Sequence, residues 1–171
     1  LKKDRAQGYG QYLFFDARFD ENHTPNPDHP LNMTPPPKIL VVDDNFGCGS
    51  SREGAVYALV DYGIRVVIGT TFGDIFHNNC FKNGVLPVRL DHDSHQALVA
   101  GLPEPRDIDV DLVDQRIDWG DGQARFEVDA FGKECLTQGL DELSLTLSYQ
   151  ADIDQFEANY RANYPWLVPT S

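Results

Sequence analysis

Apolar and polar positions along the chain follow one rhythm in its first half and another in its second. The first sustained apolar run is Lys38-Ile39-Leu40-Val41-Val42, a short stretch that suits a buried strand. A helix is predicted next, with Ala55, Val56, Leu59 and Val60 on one face and Gly63 as its stop. Ile64 to Ile68 reads as a second strand. Phe72, Ile75, Phe76 and Cys80 recur at helical spacing before Gly84, and Val85 to Leu90 reads as a third strand. Strand and helix alternating through short connections predict a parallel sheet with right-handed crossovers.

After Leu90 the rhythm changes. Asp91-His92-Asp93-Ser94-His95 opens a further helix as a solvated cap, and its two histidines, without another ligand, make no metal site. Val110 to Trp119 and Gln123 to Val128 alternate around Gly120-Asp121-Gly122, a hairpin signature. Phe131 to Gln138 predicts a short helix closed by Gly139. Leu143-Ser144-Leu145-Thr146-Leu147 alternates like a strand, and Ile153, Phe156 and Tyr160 line a last helix before Pro165. Upstream of the first strand, residues 19–37 are rich in Pro, Asn, Asp and His and predict a long surface loop. With no internal repeat and no second core, the expectation is one α/β domain over 1–171, a central parallel sheet with an antiparallel addition.

Composition narrows the function classes. No stretch approaches the roughly 20 apolar residues of a membrane span, and the first residues carry no signal-peptide pattern; a cytoplasmic location is expected. The net charge of −13, from 14 basic and 27 acidic residues, repels phosphate backbones and disfavours nucleic acid as a partner. An acidic chain that binds an acidic ligand must concentrate positive potential locally, which singles out its few well-placed arginines. Cys48, Cys80 and Cys135 are too few and too unevenly spaced for a disulfide framework and include no C-x-x-C pair for an iron–sulfur cluster. Cys80 and Cys135, in helical patterns, read as small buried hydrophobes.

The most informative stretch is Gly47-Cys48-Gly49-Ser50-Ser51-Arg52-Glu53. Its glycines permit a sharp turn after a strand and close approach of a ligand. Ser50 and Glu53 have capping-box spacing, which would start a helix at Ser50 and put Arg52 in its first turn. Free N–H groups at a helix start and a guanidinium together suit a carboxylate. Ligands of open parallel sheets gather at this carboxyl edge. The bland alternative is that Ser50 only caps and Arg52 only pairs with a surface acid. A dinucleotide site is disfavoured: Arg52 stands where the third glycine belongs, and Gly69-Thr70-Thr71 stands where an acid would follow the second strand. A P-loop fails for want of G-K-[ST].

Residues 45–53, with Ala58 to Ile68 and Phe72 to Pro87, resemble the swivel domain of the aconitase superfamily. Gly8-Tyr9-Gly10, Leu13 to Asp16, Leu31-Asn32, Gly139 to Glu142, Leu145 to Leu147 and Pro165-Trp166-Leu167 narrow the resemblance to the 3-isopropylmalate dehydratase small-subunit family. The resemblance implies a three-layer β/β/α fold. It also implies a hydro-lyase of leucine biosynthesis that isomerises 2- and 3-isopropylmalate by dehydration and rehydration, active only with a separate large subunit holding a [4Fe–4S] cluster; this chain would bind no cofactor or metal. By the same resemblance Ser50 would be the base and Arg52 the carboxylate ligand. Gly49 and Ser51 would support substrate binding, and Lys3 and Arg5 would face the substrate's variable end. Gly54 departs from the family, which usually has His there. The alternatives are the same chemistry on a methylmalate- or homoaconitate-type acid, or a non-catalytic assembly module.

Overall fold

The computed structural model describes residues 6, 8–49, 52–100, 107–139 and 142–167. The chain divides into two compact units, Leu1–Gly139 and Leu140–Ser171. The first is built on a parallel sheet of order β1-β2-β3, with β1 Ile39–Val41, β2 Val66–Gly69 and β3 Leu86–Arg89. Helix α1, Phe15–Arg18, precedes β1; α2, Gly54–Tyr62, joins β1 to β2, and α3, Asp74–Lys82, joins β2 to β3. An antiparallel sheet follows helix α4, His92–Ala100. It comprises β4 Asp109–Asp111, β5 Arg116–Asp118 and β6 Gln123–Arg125, and α5, Ala130–Gln138, closes the unit.

The continuous apolar runs of β1 to β3 are explained by burial on both faces. Register aligns Ile39 with Val66 and Leu86, and Val41 with Ile68 and Val88. These six side chains enter one cluster with Ile117, Trp119 and Phe126 of the antiparallel sheet region and Leu98 of α4. The alternate residues Leu40, Val42, Val67 and Val85 enter a second cluster with Val56 and Leu59 of α2 and Phe76 and Cys80 of α3. The layers are therefore antiparallel sheet, parallel sheet and helices, the expected β/β/α arrangement. Each fully buried Val, Leu or Ile contributes roughly 1.5–3 kcal/mol by leaving water.

The expected strand Val110 to Trp119 is two strands. The Asp111 carboxylate accepts the N–H groups of Val113 (2.8 Å) and Asp114 (2.9 Å), and Gln115 adopts φ 53°, so the chain reverses between β4 and β5. The turn at Gly120-Asp121-Gly122 forms as expected. Trp119 N–H donates to the Gly122 carbonyl at 3.0 Å, and a Cβ on Gly122 would lie 2.4 Å from the Trp119 indole.

In the second unit, the alternating Leu143 to Leu147 belongs to α6, Glu142–Ser148, and not to a strand. Leu143 and Leu147 lie one helical turn apart, so five alternating residues fit a helix with Leu145 on the other face as well as they fit a strand. Leu145 is 2% exposed, against 67% for Leu143 and 55% for Leu147. Helix α7, Gln150–Asn163, carries Phe156 stacked on Tyr160 at 5.9 Å, the shared face expected of them, here largely exposed.

Residues 19–37 contain no α-helix or strand and only a single 3₁₀ turn, Pro30–Asn32. They are not loose. Arg18 is buried, donates to Asn32 Oδ1 at 3.0 Å and to the Leu13 carbonyl at 3.1 Å, and lies 4.8 Å from the centre of the Tyr62 ring at the end of α2. Tyr62 donates its hydroxyl to the Leu31 carbonyl, and the Asn32 amide donates to the carbonyls of Arg18 and Asn26, both at 2.8 Å. A buried guanidinium with these acceptors fastens the Pro-rich segment to α2. Arg18→Met should lower unfolding stability by about 2 to 3 kcal/mol, because Asn32 and the Leu13 carbonyl lose a charged donor; the midpoint of urea unfolding measures it.

Candidate functional site

The chain that leaves the carboxyl end of β1 toward Gly47 is held from the side by the loop that leaves β2. Val42 N–H donates to the Ile68 carbonyl at 2.8 Å, continuing the sheet one residue past β1. The Thr70 hydroxyl then donates to Asp44 Oδ1, and Asn45 N–H donates to Thr71 Oγ1 at 2.7 Å. Phe46 N–H donates to the Thr71 carbonyl at 3.2 Å, and Gly73 N–H donates to the Phe46 carbonyl at 3.0 Å. Phe46 and Phe72 thereby form an isolated parallel bridge. Two strand-end loops are thus laced together, residue by residue, at the carboxyl edge of the sheet.

The glycines here have definite steric duties. Gly47 sits at φ 77°, and a Cβ on it would come 2.3 Å from Cγ of Phe76. A Cβ on Gly73 would come 2.7 Å from the Cα of Cys48. Asn45 is held at φ 58°, a left-handed backbone that asparagine tolerates better than most residues.

Helix α2 begins later than the capping-box spacing suggests. Its first residue is Gly54, and Glu53 occupies the cap with helical backbone (φ −62°, ψ −18°) and no side-chain capping bond. Glu53 instead accepts the Tyr57 hydroxyl one turn on, which draws its carboxylate along the helix. Arg52 therefore lies just ahead of the helix, exposed, and not in its first turn. Gly49 is likewise exposed. Ser50, Ser51, Lys3 and Arg5 lie outside the described residues. Of the expected site residues, Gly49 and Arg52 are therefore the two that fall among the described ones, and both are exposed.

A cavity of ≈ 360 Å³ opens beside the start of this turn, with Phe14, Leu31, Leu40, Val42, Asp43 and Phe46 among its walls. A second, of ≈ 640 Å³, lies between Asp43 and Asp44 and the helix α4 residues His92, His95 and Gln96. His95, expected in a solvated cap, is buried, and its Nε2 donates to the Val42 carbonyl at 2.9 Å. Asp91 is the cap: it accepts Ser94 N–H at 2.9 Å and the Ser94 hydroxyl at 2.7 Å, and these bonds hold its carboxyl below the usual range.

Cys80 is fully buried in α3, where burial pushes its thiol up to about 12, and Cys135 is buried in α5, as expected of small hydrophobes; Cys48 is exposed. No three His, Cys, Asp or Glu residues among those described converge as metal ligands. The side chains that hold the turn, Thr70, Thr71 and His95, did not stand out in the sequence as functional. Gly69-Thr70-Thr71 was notable only for lacking an acid.

Comparison with known proteins matches this architecture. The aconitase C-terminal domain model matches residues 12–93, and the model of the C-terminal domain of the 3-isopropylmalate dehydratase small subunit matches residues 144–170. The 3-isopropylmalate dehydratase small subunit of Rhizobium meliloti is 48% identical, over 97% of this chain and 85% of that protein. That of Pelagibacter ubique is 41% identical, over 98% and 83%. The chain belongs to the 3-isopropylmalate dehydratase small-subunit family. The crystal structure of 3-isopropylmalate dehydratase (leuD) from Methanocaldococcus jannaschii superposes with a TM-score of 0.55 at 27% identity, covering 68% of each chain.

A Cβ on Gly54 would meet only Tyr9 Cε1, at 3.6 Å. Gly47 and Gly54 should consequently respond in opposite directions to alanine. Gly54→Ala should gain about 0.4–1 kcal/mol by restricting the unfolded chain. Gly47→Ala should lose at least about 2 kcal/mol through the left-handed backbone and the clash with Phe76. Paired urea titrations compare them directly.

Proposed function

We propose that this chain is the small subunit of a 3-isopropylmalate dehydratase. In leucine biosynthesis the enzyme interconverts 2- and 3-isopropylmalate by dehydration and rehydration, together with a large subunit that carries a [4Fe–4S] cluster. The observation that carries the reading is the laced turn at the carboxyl edge of the parallel sheet, in a chain of this family, presenting Gly49 and Arg52 to solvent. Cytoplasm is the compartment we assign; no described helix is long and apolar enough to cross a membrane.

The assignment gives each residue of the turn a task. Removing a proton next to a carboxylate spreads negative charge over that carboxylate, and the developing dianion needs donors already in place. Arg52 offers a planar fork for the purpose. Ser50 takes the proton; a serine hydroxyl does so only where its alkoxide is stabilised, and the Arg52 charge contributes to that. Gly49 and Ser51 line the approach of the substrate, and Lys3 and Arg5 meet its variable end. The space beside Gly54 and Tyr9 favours testing methylmalate- and homoaconitate-type acids beside isopropylmalate.

In the complex reconstituted with its large subunit, Ser50→Ala should lower kcat by about 10²-fold or more. Arg52→Ala should raise KM as well, with kcat/KM down by at least about 10²-fold. Steady-state kinetics on both isopropylmalates measure this. A Ser50→Ala complex at full rate would instead support a non-catalytic module.

A further inference from the structure

We propose that Thr71 is a positioning residue for the reaction: through Asn45 and Phe46 it sets the direction in which the chain enters the segment that begins at Gly47. The proposal rests on the catalytic reading of that turn.

Thr71 touches the turn twice. Its Oγ1 accepts Asn45 N–H at 2.7 Å and lies 3.5 Å from Asn45 Oδ1, and its carbonyl accepts Phe46 N–H at 3.2 Å. Phe46 passes the tether on, because its carbonyl accepts Gly73 N–H at 3.0 Å. Asn45 is the first residue of the loop with a left-handed backbone (φ 58°), so the bond to its N–H acts at the bend that aims everything after it. The next left-handed residue is Gly47, locked over the Phe76 ring. Between these two bends the path of the chain has little freedom, and Gly49 and Arg52 follow within a few residues.

Thr71 and Asn45 are both exposed. That separates a positioning role from a structural one. If the Thr71 hydroxyl is removed, water can bond the freed Asn45 N–H, so the loss of stability is small. Water cannot hold the bend at one angle. A displacement of about 1 Å at a reacting group can cost about 10²-fold in rate. The rate should therefore fall much further than the stability.

The test uses Thr71→Val, which keeps the shape and removes the hydroxyl, and Thr71→Ser, which keeps the hydroxyl, in the complex reconstituted with the large subunit. Thr71→Val should lower kcat by at least about tenfold, with KM changed less than kcat and Tm lowered by less than about 4 °C. Thr71→Ser should recover most of the rate. Thr71→Ala is a second variant, suited to an exposed position, and should follow Thr71→Val. A wild-type kcat in Thr71→Val or Thr71→Ala overturns the proposal. So does a Thr71→Ser complex as slow as Thr71→Val, or a loss of rate no larger than the loss of folded protein. Ser50→Ala and Arg52→Ala, measured alongside, separate the two levels. If both keep full activity, the catalytic reading of the turn fails. If both are inactive while Thr71→Val is not, only the role of Thr71 fails.

Discussion

A parallel sheet of three strands has no face to give to water, and this constraint shapes the first unit. Each of β1, β2 and β3 sends alternate side chains to opposite sides, so two apolar layers are needed. Helices α2 and α3 supply one, and the antiparallel sheet supplies the other. With both faces covered, ligand chemistry falls to the edge where the strands end. There the chain must leave β1 and β2 in the same direction, and two loops are brought side by side. The lacing of residues 44–46 to residues 70–73 follows from that proximity. Residues 44–46, which lead into the candidate turn, take their shape from this neighbouring loop.

The strands of the parallel sheet were legible because double-sided burial leaves a strong mark: short, nearly unbroken apolar runs between turn residues. The β/β/α layering came from the family resemblance, and the alternation of Ile39, Leu40 and Val41 between the two clusters shows its physical basis. Legibility failed where one local pattern serves two structures. Leu143, Leu145 and Leu147 alternate, yet positions four apart also share a helix face. Val110 to Trp119 alternate as one strand would, but the Asp111 carboxylate collects two N–H groups and turns the chain.

The candidate site was half legible. Its glycines and Arg52 stood out because their chemistry is local. Ser50 and Glu53 suggested a capping box, but Glu53 sits at the cap and its carboxylate is taken by Tyr57, an interaction that spacing alone cannot rank. The residues that hold the turn were invisible for a different reason. Thr70 and Thr71 lie 26 residues from their partners, and His95 lies 53 from Val42; such pairings exist only once the sheet has formed. Arg18 belongs to the same class, a cation whose value lies in carbonyls and rings brought to it by α2 and the Pro-rich segment.

Exposure of the turn bears on why the proposed enzyme needs two polypeptides. Gly49 and Arg52 face solvent, where a guanidinium is screened and a hydroxyl has no reason to give up its proton. Preorganised donors acquire their full effect only when water is excluded from around them. On the proposed assignment this polypeptide supplies the residues of the turn, and closure by a second protein surface gives them catalytic power. A net charge of −13 sharpens the requirement, since the long-range field of this chain opposes an incoming dicarboxylate. On the proposed assignment, attraction has to be local, at Arg52 and across the opposing surface. The loop-to-loop hydrogen bonds at residues 44–46 suit that task, because they fix the approach to the turn with pairings made within this chain.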